Sequence, residues 1–290
     1  DKPRVTGEGV IDADLNVLPP RDSVMKRIEK AGLTSNQAGY LWMDDSLGLI
    51  LNKLDQLKLT HNTIVLFVAD HGSGHKGSLY KAKGTEVPCI MRWPAGMKAG
   101  VHSEELIQNT DFVPTWFELA GVKKPAAYRM DGVSLAPLFK APHQPVREYV
   151  YAEIGAARSI KTKTHSYIAL RYTREQVAGV QERHRRHLKA MTGLSGGVSR
   201  SIATHPHAYT GDQLYDLKRD PDAQNNLATQ RRHAKTLYEL KQKLTTELKR
   251  FPNRPYGEFV PGGNALAGGG YEEVFATLRK AAAGKKPKKK

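Results

Sequence analysis

A short apolar run that ends abruptly in two polar residues is the clearest pattern in the chain. Residues 64–69 are apolar or β-branched throughout, and Asp70 and His71 follow directly. A run without polar alternation is typical of a strand buried on both faces, as in a parallel sheet. A second apolar run covers residues 87–91, after a loop rich in glycine and lysine. The pattern predicts an α/β sheet with a loop that begins at Asp70.

Apolar residues recur at helical spacing in three other segments. These segments are residues 35–57, which start with a Ser-Asn cap, 111–120 and 227–251. In the first and the last, leucines three or four positions apart form one apolar face. Residues 1–24 are polar and interrupted by proline, so we expect an extended connection there.

Beyond residue 145 the pattern changes to short segments in which polar and apolar residues alternate. Strands are expected at residues 148–154, 158–161, 165–172 and 214–217. Such alternation predicts an antiparallel sheet that packs one face and leaves the other in solvent.

Asp70 and His71 stand where a ligand is expected, because open α/β sheets bind ligands at the carboxyl ends of their strands. A carboxylate oxygen and an imidazole nitrogen both bind divalent cations. The pair therefore predicts a metal site. The alternative is an aspartate that caps the following turn beside a partly buried histidine.

The same stretch resembles the C-terminal half of a sulfatase of the alkaline-phosphatase superfamily. Asp70 and His71 match the metal pair of that family, Lys76 and Tyr80 match its Lys-x-x-x-Tyr element, and Pro88 matches the following proline. Further ordered matches are found at residues 40–48, 110–115, 131–135, 214–217, 220–221 and 226–228. The resemblance spans roughly residues 35 to 250.

The resemblance implies a fold and a reaction. The fold would be an α/β sandwich of alkaline-phosphatase type, of which this chain carries the C-terminal part of the main sheet. The reaction would be metal-assisted hydrolysis of a sulfate ester on a carbohydrate or an aryl group. Family members use one divalent cation, usually Ca²⁺, and a formylglycine nucleophile made by a formylglycine-generating enzyme. The resemblance also favours a periplasmic or secreted location.

Residue roles carried over from the family fall in one loop. Lys76 would contact the sulfate group, and His75 would donate a hydrogen bond to the leaving oxygen. Lys81 and Lys83 lie in the same loop and compete with Lys76 for substrate binding. Asp70 and His71 would hold the cation.

The resemblance also divides the chain. We assign residues 1–145 to the C-terminal part of the sulfatase core and residues 146–252 to a smaller α+β subdomain. Residues 253–290 are expected to form a loose basic tail. The family's nucleophile motif, Cys/Ser-x-Pro-x-Arg, does not occur in the sequence. We therefore expect a C-terminal portion that is inactive by itself.

The net charge is +16, and two basic blocks stand out, residues 183–189 and 285–290. A nucleic-acid partner is not expected, because no zinc-finger spacing or aromatic-interleaved motif accompanies the charge. A sulfated, anionic glycan fits the site better, and a solvated face with a basic tail explains the charge without any partner. No apolar run reaches transmembrane length, so no membrane span is expected.

Two other functions remain open at this point. The first is a phosphodiester or phosphonate hydrolase of the same superfamily, which would hold two transition-metal ions. The second is a non-catalytic module that binds sulfated glycans through its positive charge.

Several other polar residues invite a functional reading. Asp44 and Asp45 are neighbours on a predicted helix and point about 100° apart, so structural roles are favoured over a proton-sharing dyad. Cys89 is expected to be a small buried hydrophobe. Four histidines lack the spacing of a zinc frame and are expected to be solvated. They are His184, His187, His205 and His207.

Overall fold

A computed structural model describes most of the chain. The described residues are 4–7, 9–11, 17–71, 78–80, 82–155, 157–171, 205–207 and 210–251. The chain forms two compact units, residues 1–66 with 91–99 and residues 67–90 with 100–290. Among the helices in the described part, none combines the length and the apolar character needed to cross a membrane.

The described residues form eight strands and six α-helices. The strands are β1 (Arg4–Thr6), β2 (Gly9–Ile11), β3 (Val65–Val68), β4 (Cys89–Arg92), β5 (Val150–Ile154), β6 (Ala157–Lys161), β7 (His165–Leu170) and β8 (Asp212–Asp216). The helices are α1 (Arg21–Lys30), α2 (Ala38–Gln56), α3 (Ala82–Thr85), α4 (Phe112–Leu119), α5 (Ala136–Lys140) and α6 (Ala234–Leu248).

Helix α1 in the first unit was not predicted, since residues 1–24 were expected to be extended. It starts directly after Pro20 and buries Val24 and Ile28, four positions apart on one face. Two apolar residues are too few to stand out as a helical pattern. An ion pair from Arg27 to Asp45 joins α1 to α2 and confirms a structural role for Asp45.

Helix α2 confirms the predicted helix, and a 3-10 turn at Ser35–Gln37 leads into it. The backbone N–H of Thr34 donates to the side-chain oxygen of Gln37 at 3.0 Å, in a capping box at the start of this turn. The predicted apolar face is only partly covered by the described residues. Ile50 and Leu57 on that face are exposed.

Strands β3 and β4 pair with each other as a two-stranded sheet. Burial on both faces, expected from the apolar run, is not observed, since Val68 and Ile90 are exposed. The difference follows from the size of the sheet. In the described part of the chain it holds only these two strands, which leaves much of each face uncovered.

The second unit contains a four-stranded antiparallel sheet in the order β5-β6-β7-β8. The predicted antiparallel pairing is confirmed. Helix α6 covers one face, and the leucine stripe predicted for this helix packs there. The buried residues of this core are Ile160, Tyr167, Ala169, Leu214, Leu240, Leu244 and Leu248.

The opposite face of this sheet is also buried, so the expected solvated face is wrong. Residues 166–170 of β7 are buried one after another, although their side chains alternate between the two faces. Ile168 and its β8 partner Gln213 are fully buried on the side away from α6. A sheet buried on both sides needs a second cover, and the segment around Tyr80 supplies part of it.

A buried carboxylate joins two of the family motifs, residues 110–115 and residues 131–135. Asp111 is completely buried at the start of α4 and forms an ion pair with Arg147. It also accepts hydrogen bonds from the backbone N–H groups of Gln108 (2.7 Å) and Val133 (2.9 Å). Burying a charge is costly unless it is paired and hydrogen-bonded, and Asp111 is both. Its role is structural.

The same two motifs meet at a second point. The hydroxyl of Thr115 donates to the Asp111 carbonyl (2.6 Å) and accepts from the backbone N–H of Leu135 (2.8 Å). A Cβ atom built on Gly132 would overlap the carbonyl oxygen of Thr110. The approach of the two backbones therefore requires glycine at position 132.

A second carboxylate, Asp212, joins the sheet to α6. It accepts from Arg171 (2.8 Å), Lys241 (2.6 Å) and the hydroxyl of Tyr167 (2.8 Å). Burial alone would raise the pKa of Asp212, but these cations and donors together hold the pKa below its usual range. The ionised form therefore stabilises the folded state.

Replacing this carboxylate should destabilise the fold in a pH-dependent way. For Asp212→Asn, we expect the free energy of unfolding at pH 7 to fall by about 2 kcal/mol. Because the folded pKa is lowered, the stabilisation is present above the unfolded value of about 3.9 and is lost as the pH falls through the folded pKa. The deficit of the variant should therefore shrink below about pH 4.

Urea denaturation between about pH 3 and pH 7 measures this difference. Glu118→Gln, at an exposed carboxylate on α4, is the control and should stay within about 0.5 kcal/mol of the parent protein. A deficit for Asp212→Asn that does not change with pH would contradict the linkage.

Candidate metal site

Strand β3 delivers the two predicted ligands. The strand ends at Val68, and one residue further the N–H of Ala69 donates to the carbonyl of Pro88 at 3.1 Å. This bond fixes the backbone immediately before Asp70. The two side chains that follow are therefore carried by an anchored strand end.

Asp70 and His71 lie side by side and open to solvent. Oδ2 of Asp70 is 3.5 Å from Nε2 of His71, and the two side chains are 86% and 35% exposed. Two donors bound to one calcium ion at about 2.4 Å and at a right angle lie about 3.4 Å apart. The separation therefore matches that of two ligands of a single cation.

The donor types decide which ion would fit. A carboxylate oxygen suits a hard cation, whereas an imidazole nitrogen is shared with transition-metal ions. Within the residues that the structure describes, no group of three or more His, Cys, Asp or Glu side chains could hold a metal ion. Asp70 and His71 thus supply two donors, whereas calcium takes about six to eight.

The structure does not describe the side chains of the predicted substrate residues. His75, Lys76 and Lys81 lie outside the described residues. Lys83 belongs to α3, and its side chain is outside the described part. The assignment of these four residues stays a prediction.

The segment that closes the loop is firmly packed. Ser78, Leu79 and Tyr80 are buried, and the Tyr80 ring lies 5.0 Å from the ring of His205, which is also buried. The hydroxyl of Tyr80 accepts a hydrogen bond from Nε2 of Gln213 at 3.3 Å. This segment supplies part of the second cover of the four-stranded sheet.

A second tie holds the same loop to the sheet. Lys161 on β6 donates to Glu86 at 2.6 Å, just before β4 begins. In the sequence, Tyr80 stands out only as a motif position, and no pattern assigns a role to Gln213. Alternation along β8 shows that Gln213 faces away from α6, but not what it contacts.

Other candidate residues have structural explanations. His205 is buried against Tyr80, so the expectation that it is solvated is wrong. His184 and His187 lie outside the described residues. Cys89 is exposed rather than buried, because it lies at the start of the half-covered strand β4.

Several solved structures have the same fold as this chain. One is a protein in complex with its substrate D-glucosamine-2-N,6-O-disulfate, with a TM-score of 0.56, 24% identity, and coverage of 75% of this chain and 40% of that one. Another comes from work on glycosaminoglycan metabolism by Bacteroides thetaiotaomicron, with a TM-score of 0.55, 24% identity, and coverage of 80% and 48%. The predicted alkaline-phosphatase-like fold is confirmed.

Similar sequences include several named sulfatases. The sulfatase family model matches residues 19–122, which include the Asp70–His71 pair. An ulvan-active sulfatase of Formosa agariphila is 34% identical over 61% of this chain. An N-acetylglucosamine-6-O-sulfatase of Bacteroides thetaiotaomicron is 27% identical over 74% of it, and human arylsulfatase K is 30% identical over 75%. These matches confirm the resemblance to the sulfatase family that the motifs predicted.

These matches cover only part of each relative. The chain spans 35% of the ulvan-active sulfatase, 35% of the N-acetylglucosamine-6-O-sulfatase and 38% of arylsulfatase K. The chain thus corresponds to about a third of the length of the curated relatives it matches.

The close packing of residues 78–80 against α3 can be tested by substituting two glycines. Gly84 in α3 is buried, and a Cβ atom there would overlap the carbonyl oxygen of Ser78. Gly84→Ala should therefore lower the free energy of unfolding by about 1–3 kcal/mol. Hydrogen exchange at Leu79 and Tyr80 should accelerate, because the segment must shift to make room.

Gly48→Ala is the matched control. Gly48 lies in α2, where an added Cβ meets nothing within 4 Å. Alanine should stabilise that helix by about 0.5–1 kcal/mol. Equal stability of the two variants in denaturant titrations would show that the contact between Ser78 and Gly84 is unimportant.

Proposed function

We propose that the protein containing this chain hydrolyses sulfate esters of carbohydrates or aryl groups with the help of a divalent cation. The observation that carries the proposal is the Asp70–His71 pair. Its donor atoms lie 3.5 Å apart at the end of β3, inside the segment that matches the sulfatase family. A sulfated carbohydrate is the favoured substrate class, since relatives are named for ulvan and for N-acetylglucosamine-6-O-sulfate.

Asp70 and His71 would hold the cation, and Ca²⁺ is the ion we propose. When bound, such a cation polarises the sulfate group and stabilises the negative charge that develops on it. The carboxylate of Asp70 is largely exposed and is therefore accessible to an incoming ion. His71, the next residue along the chain, would supply the second donor.

Lys76 would bind the sulfate group. The lysine ammonium group is a compact positive charge that can donate hydrogen bonds to the oxygens of a tetrahedral anion from several directions. His75, its neighbour, would donate a hydrogen bond to the leaving oxygen. The formylglycine nucleophile of the family is not encoded by these 290 residues, which contain no Cys/Ser-x-Pro-x-Arg motif.

The cation site is tested by substitution in the whole protein. Asp70→Ala should lower calcium content after dialysis and reduce kcat/KM on a chromogenic aryl sulfate by at least about 100-fold, since a direct ligand is lost. Asp131→Ala, at an exposed carboxylate, is the control and should retain both. Metal analysis and turnover are measured on the same preparations.

The alternatives give different results in this experiment. Two zinc or manganese ions per protein, with turnover of phosphonate or phosphodiester substrates, would identify a phosphoryl-transfer enzyme. A parent protein that shows no turnover, together with an Asp70→Ala variant that still binds sulfated glycans, would identify a binding module. Full metal content and turnover in Asp70→Ala would contradict the proposed ligand.

The substrate lysine is tested separately. Lys76→Ala should reduce kcat/KM by about 100- to 1000-fold, as expected for loss of one group that stabilises the transition-state charge. Lys81→Ala and Lys83→Ala serve as matched controls from the same loop and should stay near the parent value. The reverse pattern would move the role of Lys76 to one of the other lysines.

A further inference from the structure

A buried chain of polar groups contacts Tyr80, at the C-terminal end of the site loop. Gln213 on β8 is fully buried, and so are Tyr80 and Tyr215. Nε2 of Gln213 donates to the Thr210 carbonyl (2.9 Å) and to the Tyr80 hydroxyl (3.3 Å). Oε1 of Gln213 accepts from the hydroxyl of Tyr215 at 2.7 Å. Both ends of the amide are therefore engaged.

The partners fix the orientation of this amide. The Thr210 carbonyl can only accept a hydrogen bond, so the nitrogen end of Gln213 must face it. The oxygen end then faces the Tyr215 hydroxyl. Burial, and after it the neighbouring Tyr80, raise the pKa of Tyr215, so its hydroxyl keeps the proton that it donates. In this orientation Gln213 has one donor left for Tyr80.

A polar side chain at this position needs an explanation. Gln213 pairs across the sheet with Ile168, on a face where an apolar side chain would be buried at lower desolvation cost. A fully satisfied polar network, in contrast, specifies one arrangement of the groups that it joins. The group joined here from outside the sheet is Tyr80.

Tyr80 is the point where the site loop meets the sheet. The loop is held at its start by the hydrogen bond from Ala69 to Pro88 and again at Tyr80. Lys76 precedes Tyr80 by four residues, which span at most about 14 Å of chain. The position of Tyr80 therefore limits the region that the backbone of Lys76 can occupy.

We propose that Gln213 and Tyr215 are positioning residues for the proposed sulfate-binding loop and act through Tyr80. The inference rests on the proposed function, because that function gives the loop its substrate. Neither residue contacts the substrate. The network holds Tyr80, the C-terminal end of the loop, in one place, and this reduces the conformational freedom that the loop must lose when the sulfate binds.

The test uses Gln213→Met, Tyr80→Phe and the double variant in the whole protein. Methionine keeps the approximate volume and removes all three hydrogen bonds. Each single variant should lower kcat/KM on a sulfate ester by about tenfold, as for other residues that orient a reacting group from behind. The double variant should be no worse than either single variant, since both break the same link.

Tyr167→Phe is the matched control. It removes a buried hydroxyl on the α6 face of the same sheet, where the partner is Asp212 at 2.8 Å. This variant should lose stability while kcat/KM stays near the parent value. The proposal would be overturned if Tyr167→Phe and Gln213→Met had the same thermal midpoint and lost kcat/KM equally. It would also be overturned if the losses of Gln213→Met and Tyr80→Phe added up in the double variant.

A second measurement does not depend on activity. Amide hydrogen exchange over residues 78–86 should accelerate in Gln213→Met and remain at the parent rate in Tyr167→Phe. Unchanged exchange in Gln213→Met would overturn the anchoring. If the parent protein turns over no sulfate ester, the proposed function fails, and the exchange rates alone decide whether Gln213 holds this segment.

Discussion

The second unit is organised around the burial of β7 on both faces. Consecutive residues of a strand point to opposite sides, so the continuous burial of residues 166–170 requires cover on each side. Helix α6 supplies one cover with its leucine stripe. The segment around Tyr80 supplies part of the other. Residues 78–80, which follow the metal pair along the chain, are therefore packed on the sheet and belong to its core.

Three carboxylates of this unit show how burial separates structural from chemical roles. Asp111 is completely buried and saturated by Arg147 and two backbone N–H groups. Asp212 is partly buried and shared by Arg171, Lys241 and Tyr167. Asp70 is largely exposed beside His71. A saturated carboxylate has no capacity for a cation, whereas the solvated one keeps it.

Much of this architecture could be predicted from local patterns. The leucine spacing of α6, the capped helix α2 and the alternating strands of the late sheet depend on neighbours within a few positions. The Asp70–His71 pair could be found for the same reason, because it directly follows an apolar run. Helix α1 escaped detection, since Val24 and Ile28 are its only buried residues.

The sequence by itself determined the resemblance to sulfatases, the order of most elements and the residues of the proposed metal pair. Only the tertiary structure decided that the late sheet is covered twice, that His205 is buried and that Gln213 holds Tyr80. The physical reason is distance along the chain. Hydrophobic periodicity shows that a face is apolar, but the residues that cover it are set by the path of the chain, and Tyr80 reaches Gln213 across 133 positions.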